Sequence, residues 1–306
     1  MACQYSFAQD VHLRTLKFPA GKSIGMIFVG NDREIFGALV RYHQVAGASG
    51  SVTVSVPKGQ RVLFEANRRV FENPSCLDDV SPQGIDVLKI GLISLDDSED
   101  GMCDKALAHA AHFQGIEEVE VDHSEATDSG LSKLRTLSSL QGISCYSSSI
   151  KGYCFRDLAM LPALKALWAS HCDLVQENLK YLKDFPKLQV LNLDKTHLDS
   201  TGSKYLSFCR NLIELSVRGN QKFDDNCLLS LAALKDLSVL DVRETSVTAQ
   251  GLKQLRGLKL QKLLLPNLLK NNIAELQTIF PRALISADSS TKSVGEESRA
   301  LYAPLK

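Results

Sequence analysis

Tryptophan is almost missing from this chain, with one residue in 306, and aromatic residues make up only 7%. Charge of either sign is not in excess either, because 35 Lys and Arg balance 35 Asp and Glu. A formal charge of zero excludes the broad electrostatic footprint of a general nucleic-acid binder, though not a local basic patch. No apolar run approaches the roughly 18 residues that span a bilayer. The opening MACQYSFAQDVHLRTLKF lacks the basic-then-apolar order of a secretory signal. These absences lead us to expect a cytoplasmic protein with neither a membrane nor a nucleic acid as partner. Eight cysteines are present, but no two form a C-x-x-C pair. That argues against an oxidised scaffold and a close-paired zinc site, and predicts reduced thiols packed as small hydrophobes.

Leucine is what the chain has, and it is unevenly placed. Five leucines fall in residues 1–84 and thirty-nine in 85–287. The change crosses a polar stretch, residues 72–82, that holds Pro74 and Pro82, so we expect a boundary there. Before it, Ser51 to Val56 and Arg61 to Ala66 alternate apolar with polar residues around a Pro57-Lys58-Gly59-Gln60 turn, which predicts a β-hairpin. Leu13 to Phe18 and Ser23 to Val29 read as further strands, so residues 1–84 form a small all-β cap. Residues 288–306, rich in Ser, Glu and Lys without apolar period, read as a loose tail.

The leucine-rich part repeats. Leu188-Gln189-Val190-Leu191-Asn192-Leu193-Asp194-Lys195-Thr196-His197-Leu198 matches Leu237-Ser238-Val239-Leu240-Asp241-Val242-Arg243-Glu244-Thr245-Ser246-Val247, both fitting L-x-x-L-x-L-x-x-(N/T/C)-x-L. The fourth position recurs at Val119, Ile143, Leu167, Leu191, Leu215, Leu240 and Leu263, in steps of 23 to 25 residues. Positions four and six share one face of a short strand and point inward. The small polar residue at position nine then reaches backbone groups where the chain turns. A second apolar set, such as Leu131, Leu134 and Leu137, has helical spacing, with Asp128, Thr201, Asp224 and Thr248 near the helix starts as caps. Ile85, Leu88 and Ile90 begin an irregular first unit, and Phe280 to Ser286 forms a closing strand.

These units, with their D-x-G-L element at Asp128 to Leu131, resemble bacterial-type leucine-rich repeats. They are also similar to the cysteine-containing and GALA-type repeats, over about two-thirds of the chain. The resemblance implies an α/β solenoid, with parallel strands on the concave face, short helices on the convex face and a surface for protein binding. An F-box would be helical, whereas residues 1–84 read as β, so the ubiquitin-ligase adaptor role of some such proteins does not carry over.

In this architecture positions three, five, seven and eight face outward on the concave side. Aromatic and imidazole groups gather there at Tyr146, Trp168 and His171, followed by Asn192, Asp194, Lys195, Arg218, Asp241, Arg243 and Glu244. A tryptophan near arginines is the composition of an interface hot spot. The plainer account is an ion-paired, solvated face. The leading expectation is therefore a non-enzymatic protein that binds a protein or peptide partner, without a cofactor; self-association is a further possibility. The alternative is a ligand-binding or enzymatic β cap with the repeats as a recognition arm.

Chemistry-bearing motifs are incomplete. Ala20-Gly21-Lys22-Ser23 ends like a phosphate loop, but Leu16 stands where its first glycine belongs. Asp96, Ser98, Asp100 and Gly101 begin like a calcium loop whose twelfth position is Leu107 rather than Glu. His109, His112, Cys103 and His123 could supply metal ligands, but they fall on opposite sides of a repeat. His171 and Cys172 are adjacent along a strand and so point to opposite faces, unsuited to proton transfer.

Overall fold

The computed structural model describes residues 11–31, 42–93 and 99–287. Five strands come first: β1 (Val11–Lys17), β2 (Gly25–Asn31), β3 (Tyr42–Gly47), β4 (Ser51–Pro57) and β5 (Gln60–Ala66). The expected hairpin between β4 and β5 does not form. β4 pairs antiparallel with β1 in a two-stranded sheet, while β5 pairs antiparallel with β2 in a separate, long sheet. The Pro57–Gln60 turn thus carries the chain from one layer to the other. Alternation specifies which face of a strand is buried, not which strand lies beside it. Stacking the layers brings Val54 and Val56 into one core with Val62, Phe64 and Ile27, all at most 4% exposed.

The long sheet continues without a break. After α1 (Arg68–Glu72) come the three-residue strands β6 (Val87–Lys89), β7 (Glu118–Glu120), β8 (Gly142–Ser144), β9 (Ala166–Trp168) and β10 (Val190–Asn192). They are followed by β11 (Glu214–Ser216), β12 (Val239–Asp241), β13 (Lys262–Leu264) and β14 (Leu284–Ser286). Each pairs in parallel with the next, and β5 pairs in parallel with β6, giving twelve strands from β3 at one end to β14 at the other. Val119, Ile143, Leu167, Leu191, Leu215, Leu240 and Leu263 lie side by side in this register, each 0% exposed. The chain folds as a leucine-rich repeat solenoid.

The return segments are tighter than α-helices. Most hold one α turn passing into a 3-10 helix, as at Asp128–Leu131 into Ser132–Thr136 and Asp225–Leu228 into Leu229–Ala233. The cause is visible in the chain: Leu228, Leu231, Leu234 and Leu237 recur every third residue, the period at which a 3-10 helix eclipses its side chains. Asp224 and Thr248 cap their helices as expected. Elsewhere the caps are Thr127 and Asp199 rather than Asp128 and Thr201. Asp128 instead reaches into the next unit, accepting from the backbone N–H groups of Lys151 at 2.8 Å and Cys154 at 2.9 Å. Asp104 and Asp225 do the same for Thr127 and Thr248, taking both the backbone N–H and the hydroxyl. Carboxylates thus join successive units on the helical side.

Candidate functional site

The face of the sheet opposite the leucine core carries positions five, seven and eight of each unit. Its polar groups bond mostly to one another. Asp122, at position seven, accepts from the Ser144 hydroxyl at 2.7 Å and the Tyr146 N–H at 2.9 Å, both in the next unit. Asp194 repeats the arrangement with the Ser216 hydroxyl and the Arg218 N–H. Asn192 accepts from the Ser170 hydroxyl and the Asp194 N–H, each at 2.9 Å. Asp241 takes the fork of Arg243, from Nε at 3.0 Å and from Nη2 at 2.6 Å. Asn192, Asp194, Asp241 and Arg243 were expected to project outward as partner contacts, yet they are only 2%, 4%, 0% and 1% exposed. Strands one repeat apart crowd these side chains against each other, so they form a polar ladder rather than a contact surface.

Burial has an electrostatic consequence. The Asp194 carboxyl is pushed up to about 6, chiefly by loss of water and next by the charge of Asp241. Hydrogen bonds from Ser216, Arg218 and Asn192 pull it the other way.

Position eight behaves differently. His123, Ser147, His171, Lys195, Gly219 and Glu244 occupy it in successive units, and all six have φ between 51° and 75°. In the first five the left-handed turn aims the amide at the following repeat: His171 N–H donates to Asp194 O at 2.7 Å, and Lys195 N–H to Arg218 O at 2.8 Å. The ladder is thereby extended beyond the three-residue strands. Non-glycine residues are costly in this conformation. Only Gly219 marked the position in the sequence, and the periodic left-handed turn was missed.

The exposed part of the face lies along this turn row. Tyr146 sits between His123 and His171, with ring centroids 4.7 Å apart on each side. Trp168 is half-buried, and its ring covers Gly142, where an added Cβ would lie 3.1 Å from the indole. Lys195 and Glu244 are exposed, and Glu244 holds the half-buried Arg218 at 2.6 Å. The structure therefore brings Tyr146 and His171 into ring contact with His123 beside them, sets Trp168 over Gly142, and places Lys195, Arg218 and Glu244 further along the same face.

The other sequence candidates are dispersed. His109 bonds Asp78 at 2.9 Å and His112 bonds the backbone of His109 and Val80, while His123 lies across the molecule beside Tyr146. Asp96 and Ser98 lie outside the described residues. Cys172 is 1% exposed and donates to the Cys145 carbonyl at 2.9 Å, whereas His171 packs on Tyr146. Burial pushes the Cys209 thiol up to about 12. An open depression beside the first strands is lined by Arg14, Gln83, Asp86 and Gln114, with Arg14 held by Asp86 at 2.6 Å. Among the described residues no helix is long and apolar enough to cross a membrane.

No protein-family model and no curated protein sequence matches the chain. Solved structures do resemble it. An internalin C2 from Listeria monocytogenes str. 4b F2365 is 20% identical, over 60% of this chain and 77% of that one, with a TM-score of 0.36. An internalin (inlF) from the same strain is 17% identical over 71% and 64%, with a TM-score of 0.46. TLR13, in a complex with ssRNA13, is 16% identical over 62% of this chain and 30% of its own, with a TM-score of 0.41.

Proposed function

We propose that this chain is a non-enzymatic interaction protein that binds a protein or peptide partner on its strand face. Tyr146, Trp168 and His171 form the anchor, and Lys195, Arg218 and Glu244 form the rim. The supporting observation is the half-buried ring contact of Tyr146 with His123 and His171 on a face whose polar groups bond mostly to one another. A rigid aromatic patch loses little side-chain freedom on binding, which is what an interface anchor requires. Asn192, Asp194, Asp241 and Arg243 act in this reading from beneath, by holding the face in shape.

Affinity capture from the source organism's lysate tests the reading. Wild type should enrich a protein that Trp168→Glu loses at unchanged melting temperature, and that Met160→Glu, on the helical side, retains. Equal capture by wild type and Trp168→Glu would remove the aromatic patch from the interface.

A further inference from the structure

The side opposite the strands carries a second pattern. Six successive units align on buried central leucines: Leu134, Leu158, Leu182, Leu206, Leu231 and Leu255. Residues two before and one after each leucine are three apart, which in a 3-10 turn places them on one side, and the residue four after follows the end of the turn. The first of these positions holds Arg156, Lys180, Lys204 and Lys253; the second holds Arg135, Lys183 and Arg256; the third holds Arg210, Lys235 and Lys259. Ten of the eighteen positions are basic and none is acidic, in a chain of zero net charge. All ten are exposed except Lys253, which is half-buried. Among the described residues only Arg156 and Lys253 meet a carboxylate, Asp157 at 3.8 Å and Glu275 at 2.6 Å.

We propose that this band binds single-stranded nucleic acid, with phosphates along the lysines and arginines and bases against neighbouring rings. Adjacent parallel strands lie about 4.8 Å apart, so six units extend the band over roughly 25 Å. Its width is restricted. The adjoining positions hold Asp157, Asp184 and Asp236 together with Lys133 and Lys187, all exposed but Asp157, so they have no basic excess. A planar anionic lipid surface would also press on those carboxylates, whereas a linear polyanion follows the basic positions alongside them. Tyr181, Tyr205 and Phe208 border the basic row; Phe208 is 54% exposed. Lys180 and Lys204 stand 5.0 Å and 4.9 Å from the centroids of Tyr181 and Tyr205. Aromatic faces beside a basic track accept stacked bases regardless of sequence, while an acidic peptide has no base to stack. Zero net charge does not oppose this, because it averages over surfaces that one strand never touches.

Fluorescence anisotropy with labelled oligouridylate and oligothymidylate of about 12 nucleotides tests the proposal on the whole chain. Affinity should fall as salt rises from about 50 to 200 mM, with a log–log slope of about −3 for four phosphate contacts. A Lys180→Glu, Lys204→Glu, Arg210→Glu variant should bind at least about tenfold more weakly at unchanged circular dichroism. Tyr205→Ala with Phe208→Ala should weaken binding while keeping the salt slope, and Trp168→Glu should bind as wild type. The proposal is overturned by wild type that shows no salt-dependent binding, or by charge-reversed protein that binds equally well. Preference for phosphatidylserine vesicles or polyglutamate over both oligonucleotides would also overturn it.

Discussion

Asp194 shows how the ladder ties stability to pH. Its folded value of about 6 lies above the ordinary 3.8, so between these values the folded chain keeps a proton that the unfolded chain has released. Stability should therefore fall as pH rises through that window, by about 3 kcal/mol in all, and be level above it. Asp194→Asn keeps an oxygen to accept from Ser216 and Arg218, and should abolish the slope. Denaturant unfolding at several pH values checks this; a slope that persists in the variant would assign it to another group. Gly219, at φ 75°, is the one position-eight residue without a side chain. Gly219→Ala should cost about 1 kcal/mol, because its Cβ would lie 2.5 Å from the Lys195 side chain in a left-handed conformation.

Each three-residue strand is too short to hold itself, and what holds it is lateral. Ser216 and Arg218 bonding to Asp194 of the preceding unit are an instance, and within one unit a 1%-exposed Arg243 guanidinium lies on the 0%-exposed Asp241 carboxylate. Asp241→Ala should destabilise by about 3–5 kcal/mol, since it strands the buried Arg243 charge. Adding Arg243→Met should recover most of that loss, and a double variant no more stable than the single would show that the pair acts through shape instead. The apolar set of the strands was legible in the sequence, because positions four and six are a local alternation. So was position nine: Thr196, Thr245, Ser124 and Ser148 all donate to the carbonyl of position six. The depth of positions five and seven was not legible, since it depends on residues 22 to 24 places away that crowd the same space. The partner of β4 was hidden for a related reason, as both possible pairings bury the same alternating valines.

For the whole molecule, the pairing of β5 with β6 closes an edge that a solenoid would otherwise leave open. We propose that the first five strands serve as the cap of the repeat. A chain starting at residue 85 should then melt at lower temperature or aggregate; equal stability and mass in solution to the full chain would refute the cap. The two sides differ in kind: half-buried rings over a self-bonded ladder on the strands, and a band of lysines and arginines, two of them ion-paired, on the helical turns. They should fail independently, with Trp168→Glu losing a protein partner but not an oligonucleotide.

By itself the sequence determined the solenoid, its unit length, its inward leucines and its irregular ends. All of these follow from periods that a single segment carries. Only the tertiary structure decided which polar residues would sink into the ladder, which would stand clear along the left-handed turns, and that basic residues of six units would align. Stacking decides these things, because a side chain's exposure and electrostatic company are set by the units on either side of it.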